Sequence, residues 1–157
     1  MEKAIFGAGC FWGVEAAFAA LPGVIKAISG YCGGETQNPS YEEVCTGTTR
    51  HAEVVEVTFD PDLVSYEALL DKFWSCHNPT QVNRQGPDIG SQYRSVIFTT
   101  SAAQHEAAIA SRDALEKSGR FHEPVATVIE SAATFWPAED YHQRYFEKRG
   151  IAPNCHL

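Results

Sequence analysis

The sequence predicts an α+β fold, a two-layer sandwich with a mixed sheet, and three observations carry that prediction. Its candidate elements begin in the order β-α-β-β-α-β, that of a ferredoxin-like split βαβ unit with further elements added towards the C-terminus. Val55, Val57 and Phe59 alternate with polar neighbours, the period of a strand with one buried face. Leu69, Leu70, Phe73 and Trp74 recur at the spacing of an amphipathic helix.

A first strand is predicted over 3–8 and a helix over 10–21, closed by Pro22-Gly23. Strands follow over 24–30 and 52–60. The helix at 65–76 takes Ser65 as its N-cap. Arg94 to Thr100 reads as a fourth strand. The next helix opens on Ser101-Ala102-Ala103-Gln104, a capping-box pattern, and ends at Lys117-Ser118-Gly119. A short strand at 125–130 and a helix at 138–148 complete the set. Residues 30–51 and 78–93 show no regular period. Loops that long in a compact domain are functional or disordered, and their Tyr, Asn, Arg and Asp content favours function.

The chain has 157 residues, enough for one domain with its own core, and we read 1–157 as a single catalytic domain with a mobile tail from about 150. With 12 Lys+Arg against 20 Asp+Glu the net charge is −8, which disfavours nucleic acid and anionic membrane as partners. No apolar run reaches membrane-spanning length, and the start lacks the basic and apolar regions of a signal peptide. A cytoplasmic location is expected. Five cysteines, odd in number and without a CxxC pair, argue against a disulfide framework, and the Cys and His spacings argue against a dedicated metal site.

Cys10 stands in Gly7-Ala8-Gly9-Cys10-Phe11-Trp12-Gly13, where a buried strand hands over to a helix. There a thiol meets the positive end of the helix dipole and unpaired backbone N–H groups, both of which favour the thiolate. A small buried side chain is the plainer alternative. Phe11 and Trp12 point about 100° apart on a helix, so at least one is free to wall a pocket for a small apolar group such as a methyl. Period-two counting puts Glu53 on the apolar face with Val55, Val57 and Phe59, where a carboxyl holds its proton towards neutrality as a general acid must. A frayed, solvated strand end is the alternative. Tyr41, Asp88 and Tyr93 lie in the two irregular stretches and could serve a polar oxygen. Cys155, in the tail, either reaches a reactive sulfur or goes unused; Cys32, Cys45 and Cys76 are read as incidental, Cys32 with most doubt because it shares a loop with the site. A cysteine hydrolase with His51 as base and a non-catalytic thiol- or metal-binding module are the competing readings.

The motif Gly9-Cys10-Phe11-Trp12-Gly13 resembles that of the A-type peptide methionine sulfoxide reductases. Asn38-Pro39-Ser40-Tyr41, His51-Ala52-Glu53, His77-Asn78-Pro79-Thr80, the run from Asn83 to Ser95, and Pro137-Ala138-Glu139-Asp140-Tyr141-His142-Gln143 extend the likeness along nearly the whole chain. The resemblance implies reduction of the S-epimer of methionine sulfoxide, free or in proteins, without metal or organic cofactor. It assigns Cys10 as nucleophile, Phe11 and Trp12 as the methyl wall, Glu53 as proton donor, and Tyr41 and Tyr93 as hydrogen-bond donors to the sulfoxide oxygen. The resemblance further implies that Asp88 helps hold the site through water. By the same resemblance Cys155 would resolve the oxidised Cys10 as a disulfide, which thioredoxin would reduce. A monomer is expected.

Overall fold

The computed structural model describes residues 1–150. β1 (Glu2–Ala8) leads into α1 (Phe11–Ala19), β2 (Val24–Cys32), α2 (Tyr41–Cys45), β3 (Ala52–Phe59) and α3 (Tyr66–Ser75). The short strands β4 (Arg84–Gln85) and β5 (Asp88–Ile89) form a hairpin, and a 3₁₀ turn at Ser91–Tyr93 precedes β6 (Ser95–Thr99) and α4 (Ala102–Lys117). Then come β7 (Val128–Ser131), β8 (Trp136–Pro137), a 3₁₀ turn at Asp140–His142 and α5 (Tyr145–Arg149).

Six strands form one sheet in the order β7-β6-β1-β3-β2-β8. The central four pair antiparallel throughout. That is the arrangement the split βαβ order predicts, each helical crossover skipping one position that an antiparallel strand then fills. β7 adds to β6 in parallel and β8 adds to β2 antiparallel, so the sheet is mixed, as expected.

Alternation along the strands divides the core. Ala4, Phe6 and Ala8 of β1 face the helices, where they meet Val55, Val57 and Phe59, Phe18 of α1, and Leu69, Leu70 and Phe73 of α3. The Phe6 ring lies 4.8 Å from that of Phe18 and 5.3 Å from that of Phe73. On the opposite face Ile5, Cys32, Ala52, Val54, Val96 and Phe98 form a smaller cluster, covered by Ala132 and Phe135 from the β7–β8 connection. Ser65 and Ser101 cap α3 and α4, accepting from the Ala68 and Gln104 amides. The Gln104 side chain reaches Thr100 N and Lys3 O, so the box expected there is not reciprocal.

The structure corrects the reading in three places, one of them the stretch 78–93, which holds the β4–β5 hairpin and the Ser91–Tyr93 turn. The stretch 30–51 contains α2, held by a complete capping box in which Ser40 Oγ accepts from Glu43 N and Glu43 Oε1 accepts from Ser40 N. The single helix expected over 138–148 is instead a 3₁₀ turn at Asp140–His142 and one short helix, α5, preceded by the strand β8. Gln143 turns extended at ψ 132°, and Arg144 is left-handed at φ 50°.

Candidate active site

β1 ends beside α1, and Gly9 makes the turn between them. Its φ of 98° lies where side chains are strained, and a Cβ there would stand 2.9 Å from Cβ and Cγ of Gln85. Gln85 cannot retreat, because its amide bonds the Asn78 backbone twice, accepting from N at 2.9 Å and donating to O at 2.8 Å. Gly9→Ala is therefore expected to cost about 1–3 kcal/mol, lower the thermal midpoint by several degrees and displace Cys10, as a melting curve and a single-turnover assay will read.

Cys10 is the half-buried N-cap of α1. The Trp12 and Gly13 N–H groups favour its thiolate, as expected of a helix start. They are outweighed. Burial, then the nearby Glu53 carboxylate, push the thiol up to about 12, so at rest it keeps its proton, contrary to the sequence expectation.

Glu53 lies on the helix face of β3, as period-two counting predicts, and is 1 % exposed. Its Oε1 accepts from the Phe11 amide at 3.2 Å, which ties the carboxyl to the first residue of α1. Its Oε2 has no hydrogen-bond partner among the described residues. Burial pushes its pKa up to about 8, against the downward pull of the Phe11 bond, and the Asp88 charge adds to the rise. Tyr41 opens α2 and Tyr93 ends the 3₁₀ turn. Burial and then the Glu53 charge raise both phenols, and Tyr93 also feels Cys45, Asp88 and Cys10. One carboxyl, one thiol, two phenols and Asp88 thus share a single electrostatic neighbourhood.

The walls are aromatic. Phe11 is fully buried, its ring 6.3 Å from Tyr41 and 5.1 Å from His142. Trp12 is half-buried, stacks on Tyr145 at 3.6 Å and donates its indole N–H to His142 Nδ1 at 3.0 Å. Glu139 joins this wall to the sheet, its carboxylate accepting from Tyr31 Oη at 2.9 Å and Tyr41 N at 3.0 Å. These bonds hold its carboxyl below the usual range although burial opposes them. Among the described residues no group of three or more His, Cys, Asp or Glu could hold a metal ion, and no helix is long and apolar enough to cross a membrane.

The half-buried Cys10 thiol, the Glu53 carboxyl and the Phe11 and Trp12 rings lie together at the start of α1. The family model for peptide methionine sulfoxide reductase matches residues 2–157. The chain belongs to that family. The peptide methionine sulfoxide reductase MsrA of Methanothermobacter thermautotrophicus is 64% identical over 147 residues, 94% of this chain and 87% of that one. Reduced Mxr1 from Saccharomyces cerevisiae superposes with a TM-score of 0.92 at 33% identity, over 99% of this chain and 91% of that one. Mxr1 in complex with Trx2 gives 0.66 at 23% identity over 99% and 88%, a likeness of fold.

In this reductase Cys10, Phe11, Trp12, Tyr41, Glu53, Asp88 and Tyr93 come together from five separate elements; Cys155 lies outside the described residues. Cys32 is resolved away from the site, on the opposite face of the sheet, its thiol 3.7 Å from Ala133 O. Cys45 stands at the rim, its thiol interacting with Tyr41. His51 is committed to its own loop, accepting at Nδ1 from Gly34 N and donating at Nε2 to Thr36 O, which leaves no ring nitrogen for a base. His77 is likewise structural, donating to Phe73 O and accepting from Ser95 Oγ, and burial holds it down at about 4. His142, Tyr145 and Glu139 were not singled out by the sequence. The Pro137–Gln143 motif marked their region, but their partners lie on α1, α2 and β2.

Proposed function

We propose that this reductase removes oxygen from the S-epimer of methionine sulfoxide, free or in proteins, with Cys10 as nucleophile and Glu53 as acid. The supporting observation is the Glu53 carboxyl, shielded from water, with a pKa near 8 and one oxygen left open beside the thiol. A sulfoxide sulfur is electrophilic, and its oxygen leaves only when protonated. Cys10 Sγ attacks that sulfur while Glu53 passes a proton to the oxygen. The thiol gives its own proton to solvent before the attack. The S–O bond breaks as the protonated oxygen leaves as hydroxide, which adds to Cys10 Sγ as the transient S–S bond breaks. Methionine departs, Cys10 becomes a sulfenic acid, and Glu53, left as the carboxylate, regains its proton from solvent. Tyr41 and Tyr93 orient the oxygen by hydrogen bonds, Phe11 and Trp12 enclose the methyl group, and Asp88 helps hold the site through water.

Cys155 then condenses with the sulfenic acid, releasing water and forming a Cys10–Cys155 disulfide. Thioredoxin, with a potential of about −270 mV, supplies the two electrons that reopen it. The Trx2 complex of Mxr1, a protein of the same fold, supports that partner. We read the enzyme as a monomeric single-domain protein of the cytoplasm, a reading supported by five cysteines that include no CxxC pair. Cys155→Ser is expected to release one methionine per enzyme and then stall with thioredoxin; continued turnover would shift the resolving role to another thiol. A thioredoxin-coupled assay on separated epimers tests the whole reading, which fails if the S-epimer is not consumed.

A further inference from the structure

The wall residue Trp12 is gripped from two directions by one short segment. Its indole N–H points at His142 Nδ1, 3.0 Å away. Its face lies on the Tyr145 ring, centroids 3.6 Å apart and planes 6° from parallel. Arg149 in turn sits 3.9 Å from the Tyr145 centroid, a cation–π contact that holds the second ring.

The segment's geometry is fixed by α1 itself. Glu15, one helical turn beyond Trp12, is 3 % exposed and accepts from Arg144 N at 2.8 Å and Ser29 Oγ at 2.8 Å. Its first bond holds Arg144 in the left-handed conformation that swings Tyr145 back over Trp12. Gln143 adds two bonds to the Ser29 backbone, accepting from N at 2.9 Å and donating to O at 2.8 Å. His142 is 1 % exposed between Phe11 and Tyr41, its ring 4.4 Å from the latter. Because an indole N–H can only donate, Nδ1 must accept and the ring proton sits on Nε2. Burial favours that neutral ring.

We propose that His142 and Tyr145 are specificity-determining positioning residues, clamping Trp12 by edge and face so that the pocket admits a methyl group and resists anything larger. A rigid apolar pocket discriminates one methylene by about 10–200-fold, and a wall free to turn loses that power. The inference rests on the reading of Trp12 as the methyl wall.

The test compares kcat/KM for methionine sulfoxide and for its S-ethyl analogue, ethionine sulfoxide. His142→Leu and Tyr145→Ala should raise KM for methionine sulfoxide several-fold and lower the methyl-over-ethyl preference about tenfold. His142→Asn, whose Oδ1 replaces Nδ1 as acceptor, and Tyr145→Phe, which keeps the stacked ring, should remain within about twofold of the wild type. Trp12→Ala separates the two layers of the argument. If it leaves the preference intact, the wall reading fails; if it lowers the preference while His142→Leu and Tyr145→Ala do not, the clamp alone fails. Equal losses in His142→Asn and His142→Leu would also overturn the clamp. Should His142→Leu not fold, the Tyr145→Ala and Tyr145→Phe pair carries the same comparison.

Discussion

Glu53→Gln is expected to slow the single-turnover release of methionine by about 10²–10⁴-fold, the usual contribution of a positioned general acid. The same substitution should make the folded protein more stable. Glutamine keeps an acceptor for the Phe11 amide and removes a carboxyl that burial holds at about 8 against an ordinary 4.5. Below pH 4.5 both folded and unfolded wild-type chains carry the proton, and the substitution has little electrostatic consequence. As pH rises towards 8 the unfolded chain ionises while the folded one resists, so wild-type stability falls through that window. The gap should reach the order of a few kcal/mol at pH 9, read as a higher melting temperature for the variant. A variant that loses activity without this alkaline stabilisation would show that Glu53 is not the strained acid described.

The pH profile follows from the same pair. The productive form holds one proton between Glu53 and Cys10. With the carboxyl at about 8 and the thiol at about 12, the wild-type single-turnover rate should rise roughly tenfold per pH unit up to about 8 and then level. In Glu53→Gln that break at 8 should vanish. Cys10 should also react faster with iodoacetamide, because the carboxylate charge that raises its pKa is gone. Reduction and alkylation thus move in opposite directions.

Cys10→Ser should release no methionine at all, even in one turnover, since a hydroxyl cannot take the place of the thiol as acceptor of the oxygen. The protein should nevertheless fold at least as well, because serine is a preferred N-cap and the Trp12 and Gly13 amides await an acceptor. A melting temperature equal to or above that of the wild type, together with zero product, is the expected pair of results. Product from this variant would move the nucleophile elsewhere, with the rim thiol Cys45 the first to examine.

What could be read from the sequence was local. Alternation along β3 assigns Glu53 to the helix face, and the glycines around Cys10 mark a strand–helix junction. Both are short-range patterns, and both hold in the structure. The Ser40–Glu43 capping box was equally local and would have revealed α2 within the stretch read as irregular. The pKa of Cys10 was not legible, because it balances helix amides against burial and a carboxylate 43 residues away in sequence. Nor was the break in the helix expected over 138–148. Arg144 adopts its conformation because of Glu15, 129 residues earlier, and β8 forms because β2 offers it an edge.

The bond between Trp12 and His142 spans 130 residues. Synthesis on the ribosome delivers the N-terminal elements first. Cys10 therefore emerges before His142 and Tyr145, attached to an α1 that still lacks the rings that flank it. A nascent chain short of residue 142 carries Cys10 and Glu53 but lacks the ring that accepts the Trp12 N–H, so the side of the site that Trp12 forms is fixed in place only after its reacting groups have been made.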